Sequence, residues 1–515
     1  MPIRMVEDEP GSSNSGRPQR SSGRSSGGFG GIGGNIIGSL LPMLLRNPKL
    51  LIIAIVIGAL LYFFGGSSLF GDAQHSILSG FSQGANFDEK IYDEAEVFEP
   101  LSPEGNTLPE RVSLEQFCPT PKNQGQQGSC VGWGSAYAAR TILHARATGQ
   151  DPDNIAFSPA FLYNQIKLDG CQGSYIQRAM DNMLSVGALP FSNFGYTDES
   201  CDREPSSDEK RSASAFKIKG GNRLTKNGDD YTIDMLAIKQ NLAQGAPVVI
   251  GMMVGQSFMQ PMMGEKIWTP SESDYSMQGL GGHCMCVIGY DDYIEGGAFQ
   301  IMNSWGTEWG KNGMCYVRYA DFMHFTKEAY GLYPMGEVSQ PEPTQLDLDF
   351  SLVLNKNNTS VQFEKINDTK YSTSQFKVGD KFKVKIANNE ECYIYIFGQE
   401  TDNSSYVLFP YTPKHSPYCG ITGTRLFPKD YSMEVDAVGT KDVIAVVVTK
   451  QPIDFNKMNQ AINAAKGNDY EAKLRSVLGP ELSEFSSTLN KDGLKLSRSV
   501  AGKNAMFVVL EVKKG

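Results

Sequence analysis

The hydrophobic and polar positions fall into three patterns. From Leu50 to Gly71 the chain carries no charge, and Leu50 to Phe64 is almost wholly apolar. Past residue 130 the apolar positions Val131, Ala138, Ile142 and Ala145 recur at three-, four- and seven-residue separations, which predicts a helix beginning near Ser129. Past residue 374 the pattern alternates: F-K-V-K-I, C-Y-I-Y-I-F, Y-V-L-F, V-I-A-V-V-V and, near the end, M-F-V-V-L-E-V. These read as strands separated by turn residues, with a helical patch near residues 456–478.

The segments between follow from composition. Residues 1–49 are a Gly/Ser/Arg-rich tail; its first 35 residues bury too little apolar surface to offset their ordering entropy, so a disordered tail is expected. Residues 72–111 are acidic and Pro-bearing and read as a stalk. Residues 112–336 hold all four tryptophans and form the first globular domain. G-E-V-S-Q-P-E-P-T-Q, residues 337–346, reads as a linker. Residues 347–515 form a β-rich domain.

Charge narrows the partners. The net charge is −10 and no Lys/Arg cluster follows residue 50, so nucleic acid is excluded as a partner. The basic residues Arg4, Arg17, Arg20, Arg24, Arg46 and Lys49 precede the apolar run, and residues 72–110 are rich in Asp and Glu. The positive-inside rule then makes residues 50–71 a single transmembrane anchor, with the tail in the cytoplasm and the rest periplasmic or extracellular. The strongly apolar part is short for a bilayer core of about 30 Å, so the Gly/Ser/Phe flank must contribute. A cleaved signal peptide is the rival reading. The nine cysteines fit one dedicated thiol with up to four disulfides, or free structural thiols.

Candidate chemistry centres on K-N-Q-G-Q-Q-G-S-C-V-G-W, residues 122–133. A thiol at a helix start meets the positive end of the macrodipole, which favours thiolate. Gly125 and Gly128 allow tight turns and leave room for a ligand backbone. His283 opens a strand behind G-L-G-G. Asn303 ends a second apolar strand and can accept from an imidazole N–H, and Trp305 can shield that hydrogen bond from water. Together these make a nucleophile (Cys130), a base and acid (His283) and an orienting amide (Asn303). Gln124 and the Cys130 N–H would stabilise an oxyanion.

The blocks N-Q-G-x-x-G-S-C, G-H-C-M-C-V-I-G-Y and N-S-W-G-T-E-W-G-K-N-G resemble the three signature blocks of papain-like cysteine peptidases. The Cys130–His283 separation of 153 residues is close to the roughly 130–150 of that family. The resemblance implies an α+β, two-lobed fold with a helical lobe, a β-barrel-like lobe and a substrate groove between them. It implies hydrolysis of peptide bonds in a peptide or protein substrate, with no cofactor and no metal. D-G-C-Q-G-S-Y, residues 169–175, resembles the stretch whose backbone holds a substrate peptide like an added strand, a role that falls to Gly173 and Ser174. Gly282, just before the histidine, and Trp305 complete the substrate-binding set.

The departures matter. Gln127 and Val131 stand where the family usually has Cys and Trp, so the usual partner of Cys171 is missing and Cys171–Cys201 becomes the expected disulfide. Cys284 and Cys286 read as core thiols, because a C-x-C without a second ligand pair is weak evidence for zinc. Residues 72–111 lack a long helical pattern, so no inhibitory prosegment is expected. Residues 374–411 resemble a bacterial β-domain of uncharacterised function and imply a mostly β, sandwich-like domain serving as a spacer or as the site of an envelope or protein partner. Cys392 and Cys419 there are a candidate disulfide. Two rival functions use the same residues: transfer to an amine in cell-envelope peptides (transpeptidase or amidase), and a scaffold with an idle site.

Overall fold

A helical run over residues 130–148 and an antiparallel sheet lie against each other in the first domain. The protein is described here by a computed structural model covering residues 3–8, 83–333, 345–467, 469–499 and 504–515. The run begins as α-helix at Cys130–Gly132, continues as π-helix over Trp133–Arg140 and returns to α-helix at Thr141–Thr148. It stops at Gly149, whose φ of 68° is the left-handed conformation glycine accepts at a helix end. A Cβ on Gly134 would stand 2.9 Å from the Cys284 sulfur, so this glycine lets the helix approach the strand Gly281–Asp291 closely. Pro159–Ile166, capped by the Ser158 hydroxyl on the Phe161 N–H, and Ile176–Ser185 complete the helical half.

The sheet runs, edge to edge, through Gly221–Arg223, Thr326–Leu332, Val248–Val254, Gly281–Asp291, Ala298–Met302 and Met314–Arg318. Arg111–Ser113 also pairs with Gly281–Asp291. The helical half thus presents Cys130 and the sheet presents His283, in the two-part arrangement expected from the sequence.

The C-terminal domain is two antiparallel-rich sheets face to face. Cys392–Gln399 shows why its alternation is so regular: Ile394 and Ile396 join the core between the sheets. Tyr395 and Phe397 face the other way, onto Met458, Ile462, Tyr470 and Leu474 of the helices Phe455–Ala464 and Tyr470–Leu478. Both faces are apolar because both are covered.

Three expectations change. Arg4–Glu7, expected as disordered tail, is a strand pairing antiparallel with Tyr431–Glu434 at the edge of one C-terminal sheet. Ile3 is buried in that domain's core, and Asp8 accepts from Lys383, Ser432 and Asn355. Second, residues 83–111 are no free stalk. Tyr92, Ala95, Val97, Phe98 and Leu101 are buried, because the acidic segment carries an apolar residue at nearly every second or third position there. Third, Gln345 and Leu346 belong to a strand, Gln345–Leu354, rather than to the linker. The remainder of the tail, the apolar run 50–71, the start of the expected stalk and linker residues 337–344 lie outside the described residues. Among the described residues no helix is long and apolar enough to cross a membrane.

Candidate active site

Cys130 is fully buried at the start of the helical run, where its sulfur accepts the N–H of Cys284 at 3.4 Å. His283 is fully buried on the adjacent strand. Its Nε2 is 2.7 Å from Asn303 Oδ1. That amide oxygen can only accept, so Nε2 carries the proton in the neutral ring and Nδ1 is left as the acceptor. Nδ1 has no hydrogen-bond partner among the described residues. The Trp305 ring stacks on the imidazole at 4.3 Å between centroids and 21° between planes, covering the His283–Asn303 bond.

Gln124 is buried and held from two sides: its Nε2 donates to the Gln127 carbonyl at 2.9 Å, and its Oε1 accepts from Ser304 at 2.6 Å. A primary amide has two N–H groups, so one remains for a ligand. The Ser304 link joins the helical half to the loop that carries Asn303, a connection the sequence motifs do not announce.

Burial dominates the electrostatics. It pushes the Cys130 thiol up to about 12 against the hydrogen bonds of surrounding backbone N–H groups. It draws His283 down to about 4 against the opposing effect of Asn303. Burial thus opposes charging either group while the groove is covered, against the thiolate–imidazolium pair expected from the motif. The helix-start dipole does not outweigh the loss of water.

The covering material is the protein's own residues 83–87, a strap laid along the groove. The N–H groups of Gly84 and Ala85 both donate to the Gly282 carbonyl, at 3.2 and 3.0 Å. Ser174 N–H donates to the Gly84 carbonyl at 2.9 Å, and Asn86 N–H to the Ser174 carbonyl at 2.9 Å. Ala85 thereby runs parallel to Ser174 as an added strand. Of the backbone expected to hold a peptide, Ser174 and Gly282 bond a segment of the same chain, whereas the Gly173 N–H donates to the Tyr163 hydroxyl and its carbonyl accepts from Leu168 N–H. The fit is between glycines: a Cβ on Gly84 would drive into the Gly128 carbonyl, and one on Gly173, at φ 113°, into the Gly84 carbonyl. The Phe87 ring packs over Gly251 and Gly282.

The structure thus places part of residues 72–111 in the groove, where no prosegment is expected from the sequence. That expectation rested on the absence of a helical pattern, but a groove lined with backbone donors and acceptors needs only a short extended strand. The signal in the sequence was Q-G-A-N-F itself, small residues followed by one aromatic.

Cys171 and Cys201 are joined by a disulfide that ties down the loop before Gly173. Cys392 and Cys419, the candidate second bridge, sit directly opposite each other on paired strands as hydrogen-bonded thiols with no bond between the sulfurs. Cys284 and Cys286 are buried free thiols. The only grouping of potential metal ligands among the described residues is Cys171, Cys201 and Asp202, and its two sulfurs are already bonded to each other.

Residues 108–333 match the family model described as papain family cysteine protease. Residues 375–452 match a model described as a domain of unknown function, DUF4384. Among curated proteins, the chain is 27% identical over 197 residues to an uncharacterized peptidase C1-like protein of Acanthamoeba polyphaga mimivirus, covering 37% of this chain and 61% of that one. It is 24% identical over 207 residues to cysteine proteinase 3 of Entamoeba histolytica, covering 40% and 61%. The chain thus spans about three fifths of these relatives' length. Among solved structures, xylellain, a cysteine protease from Xylella fastidiosa, aligns with a TM-score of 0.42 and 23% identity, over 50% of this chain and 97% of that one.

Proposed function

We propose that this chain is a papain-type cysteine peptidase, latent in the state described, that hydrolyses peptide bonds once residues 83–87 leave the groove. One observation carries the reading. Ser174 and Gly282 hold a peptide backbone, that of Gly84–Asn86, beside a buried thiol and a histidine oriented by Asn303. The groove is a peptide-binding groove because it binds one.

In the open groove, water returns to both groups and the cost of charging them falls. His283 Nδ1 takes the Cys130 proton, and the sulfur attacks the substrate carbonyl carbon. The carbonyl oxygen becomes an oxyanion, met by the remaining Gln124 N–H and the Cys130 N–H. The tetrahedral intermediate collapses as the C–N bond breaks, and His283 delivers the proton to the leaving amine. A water molecule, deprotonated by the same Nδ1, then cleaves the thioester and restores the thiol. Asn303 keeps the ring in the tautomer that makes each step possible. Loss of the Gln124 donor is expected to cost about 2.7–4 kcal/mol of barrier.

The Cys171–Cys201 bridge supports action outside a reducing cytoplasm, and the apolar run 50–71 supports attachment to a membrane. One physical constraint bears on the topology. A single crossing by residues 50–71 would put Arg4–Glu7 and Tyr431–Glu434 on opposite sides of the bilayer, whereas they pair here. We therefore propose attachment without a net crossing, with the N-terminal strand on the same side as the peptidase.

The test of the catalytic reading is labelling by an irreversible peptidyl epoxide, mapped by mass spectrometry, on parent, Gly84→Ala, His283→Ala and Cys130→Ala proteins. Gly84→Ala cannot seat its strap and should label at Cys130 alone. Adding His283→Ala should remove the label. A folded Gly84→Ala protein that takes no label at Cys130 sinks the peptidase reading.

A further inference from the structure

The strap does not end at the groove. Past the short helix Glu89–Asp93 it continues as residues 94–106 along the seam between the two domains. Val97 is paired on both sides, with Arg223 of the peptidase domain and with His415 of the β-domain. Arg223 N–H donates to the Glu96 carbonyl, and Phe98 N–H to the Arg223 carbonyl, each at 3.0 Å. On the other side Val97 N–H donates to the Lys414 carbonyl at 2.6 Å, and Ser416 N–H to the Val97 carbonyl at 3.0 Å. The segment is the middle strand of a small three-stranded element whose outer strands belong to different domains.

Further along, Gln240 of the peptidase domain exchanges two hydrogen bonds with the Leu101 backbone, at 2.9 and 2.8 Å. From the β-domain, Arg425 donates to the Glu99 carbonyl at 3.0 Å, and Ser102 N–H donates to the Thr424 carbonyl at 2.8 Å. The domains also touch directly, through the Lys219–Glu391, Lys414–Asp229 and Lys429–Asp234 ion pairs, the Gln244–Thr422 hydrogen bonds and the Tyr333–Tyr418 ring contact.

We propose that the C-terminal β-domain is the latch of the active site: it forms one wall of a clamp around residues 94–106, so that the groove opens when this domain separates from the peptidase domain. The inference rests on the peptidase reading above. Its physical basis is tethering. The groove end is held by a handful of backbone hydrogen bonds, each contributing about 1 kcal/mol net, and opens transiently by itself. While residues 94–106 stay clamped, the released end remains at high effective concentration and returns before a substrate competes. Freeing one wall of the clamp exposes Val97 and Phe98 and lengthens the tether.

The seam is also built to part. Two cavities of about 350 and about 380 Å³ flank the clamped segment, beside the packed rings of Phe98, Tyr333 and Tyr418. Glu99 is 3% exposed and its Oε1 has no hydrogen-bond partner among the described residues. A buried, unsatisfied carboxyl weakens the closed state. The burial that raises its pKa to about 8 outweighs the nearby cations Lys429 and Arg425.

The test uses the full chain and the same epoxide, with Lys219→Ala combined with Gln244→Ala. Both residues lie on the seam and neither touches the groove. The latch predicts labelling of Cys130 about tenfold faster than in the parent, approaching Gly84→Ala, because two seam contacts are lost. Fast labelling of Gly84→Ala with parent-like labelling of the seam variant overturns the latch and leaves the peptidase reading intact. Absence of label in both overturns the two together. If the seam variant does not fold, hydrogen exchange on the parent decides. Amides of residues 84–86 and 97–102 should gain exchange together in sub-denaturing urea, and exchange of the first without the second overturns the latch.

Discussion

His283 shows how one residue reports the state of the groove. Its pKa of about 4 in the closed form, against an ordinary value near 6.5, means the closed form resists protonation. Closure therefore keeps the full contribution of this group above about pH 6.5 and loses it as pH falls through about 4. Mild acid favours the open groove. The expected result is that the labelling rate of the parent, divided by that of Gly84→Ala, rises as pH is lowered from about 7.5 to about 5. The permanently open variant removes the pH dependence of the chemistry itself, so the ratio isolates closure. A flat ratio would mean that His283 is solvated in the parent.

At the scale of elements, the loop of residues 169–175 joins the site's chemistry to its covalent frame. Ser174 supplies both a donor and an acceptor to the strap, and Cys171, at φ 56°, enters that loop with its sulfur bonded to Cys201. The bridge closes a sequence separation of 30 residues. Replacing both cysteines by serine is expected to lower stability by about 2–4 kcal/mol in urea denaturation. It should also speed exchange of the Asn86 amide, since its acceptor loop is less constrained. Elements of this kind were legible where their pattern was strong. The helix start near Ser129, the histidine strand and the alternating strands of the second domain appear as expected. The strap was not read as such, because five extended residues, Q-G-A-N-F, have no periodicity to detect.

At the scale of the whole molecule, the N-terminal strand and the second domain must share a compartment if they pair. Arg4 and Glu434 are register partners, the first exposed and the second half-buried, 3.7 Å apart at the charged atoms. A variant with Arg4→Cys and Glu434→Cys in the full chain should therefore form an intramolecular disulfide under mild oxidation, seen as a shift on non-reducing electrophoresis. Recovery of the two cysteines as free thiols, labelled from opposite sides of the membrane, would restore the single-crossing reading.

Legible along the chain were local chemistry and local periodicity: a thiol at a helix start, a histidine on a strand behind glycines, an asparagine to fix its tautomer, and alternation strong enough to announce a sandwich. These follow from residue type and spacing over a few neighbours. The tertiary structure alone decided which groups meet over long separations. Gly84 meets Gly128, Gly173 and Gly282; Val97 meets both Arg223 and His415; Arg4–Glu7 meets Tyr431–Glu434. Such pairings are made by backbone donors and acceptors, which every residue carries alike, so no side-chain pattern foretells them. The same holds for the charge state of the dyad. Spacing promised an ion pair, but the strap removed the water that an ion pair needs.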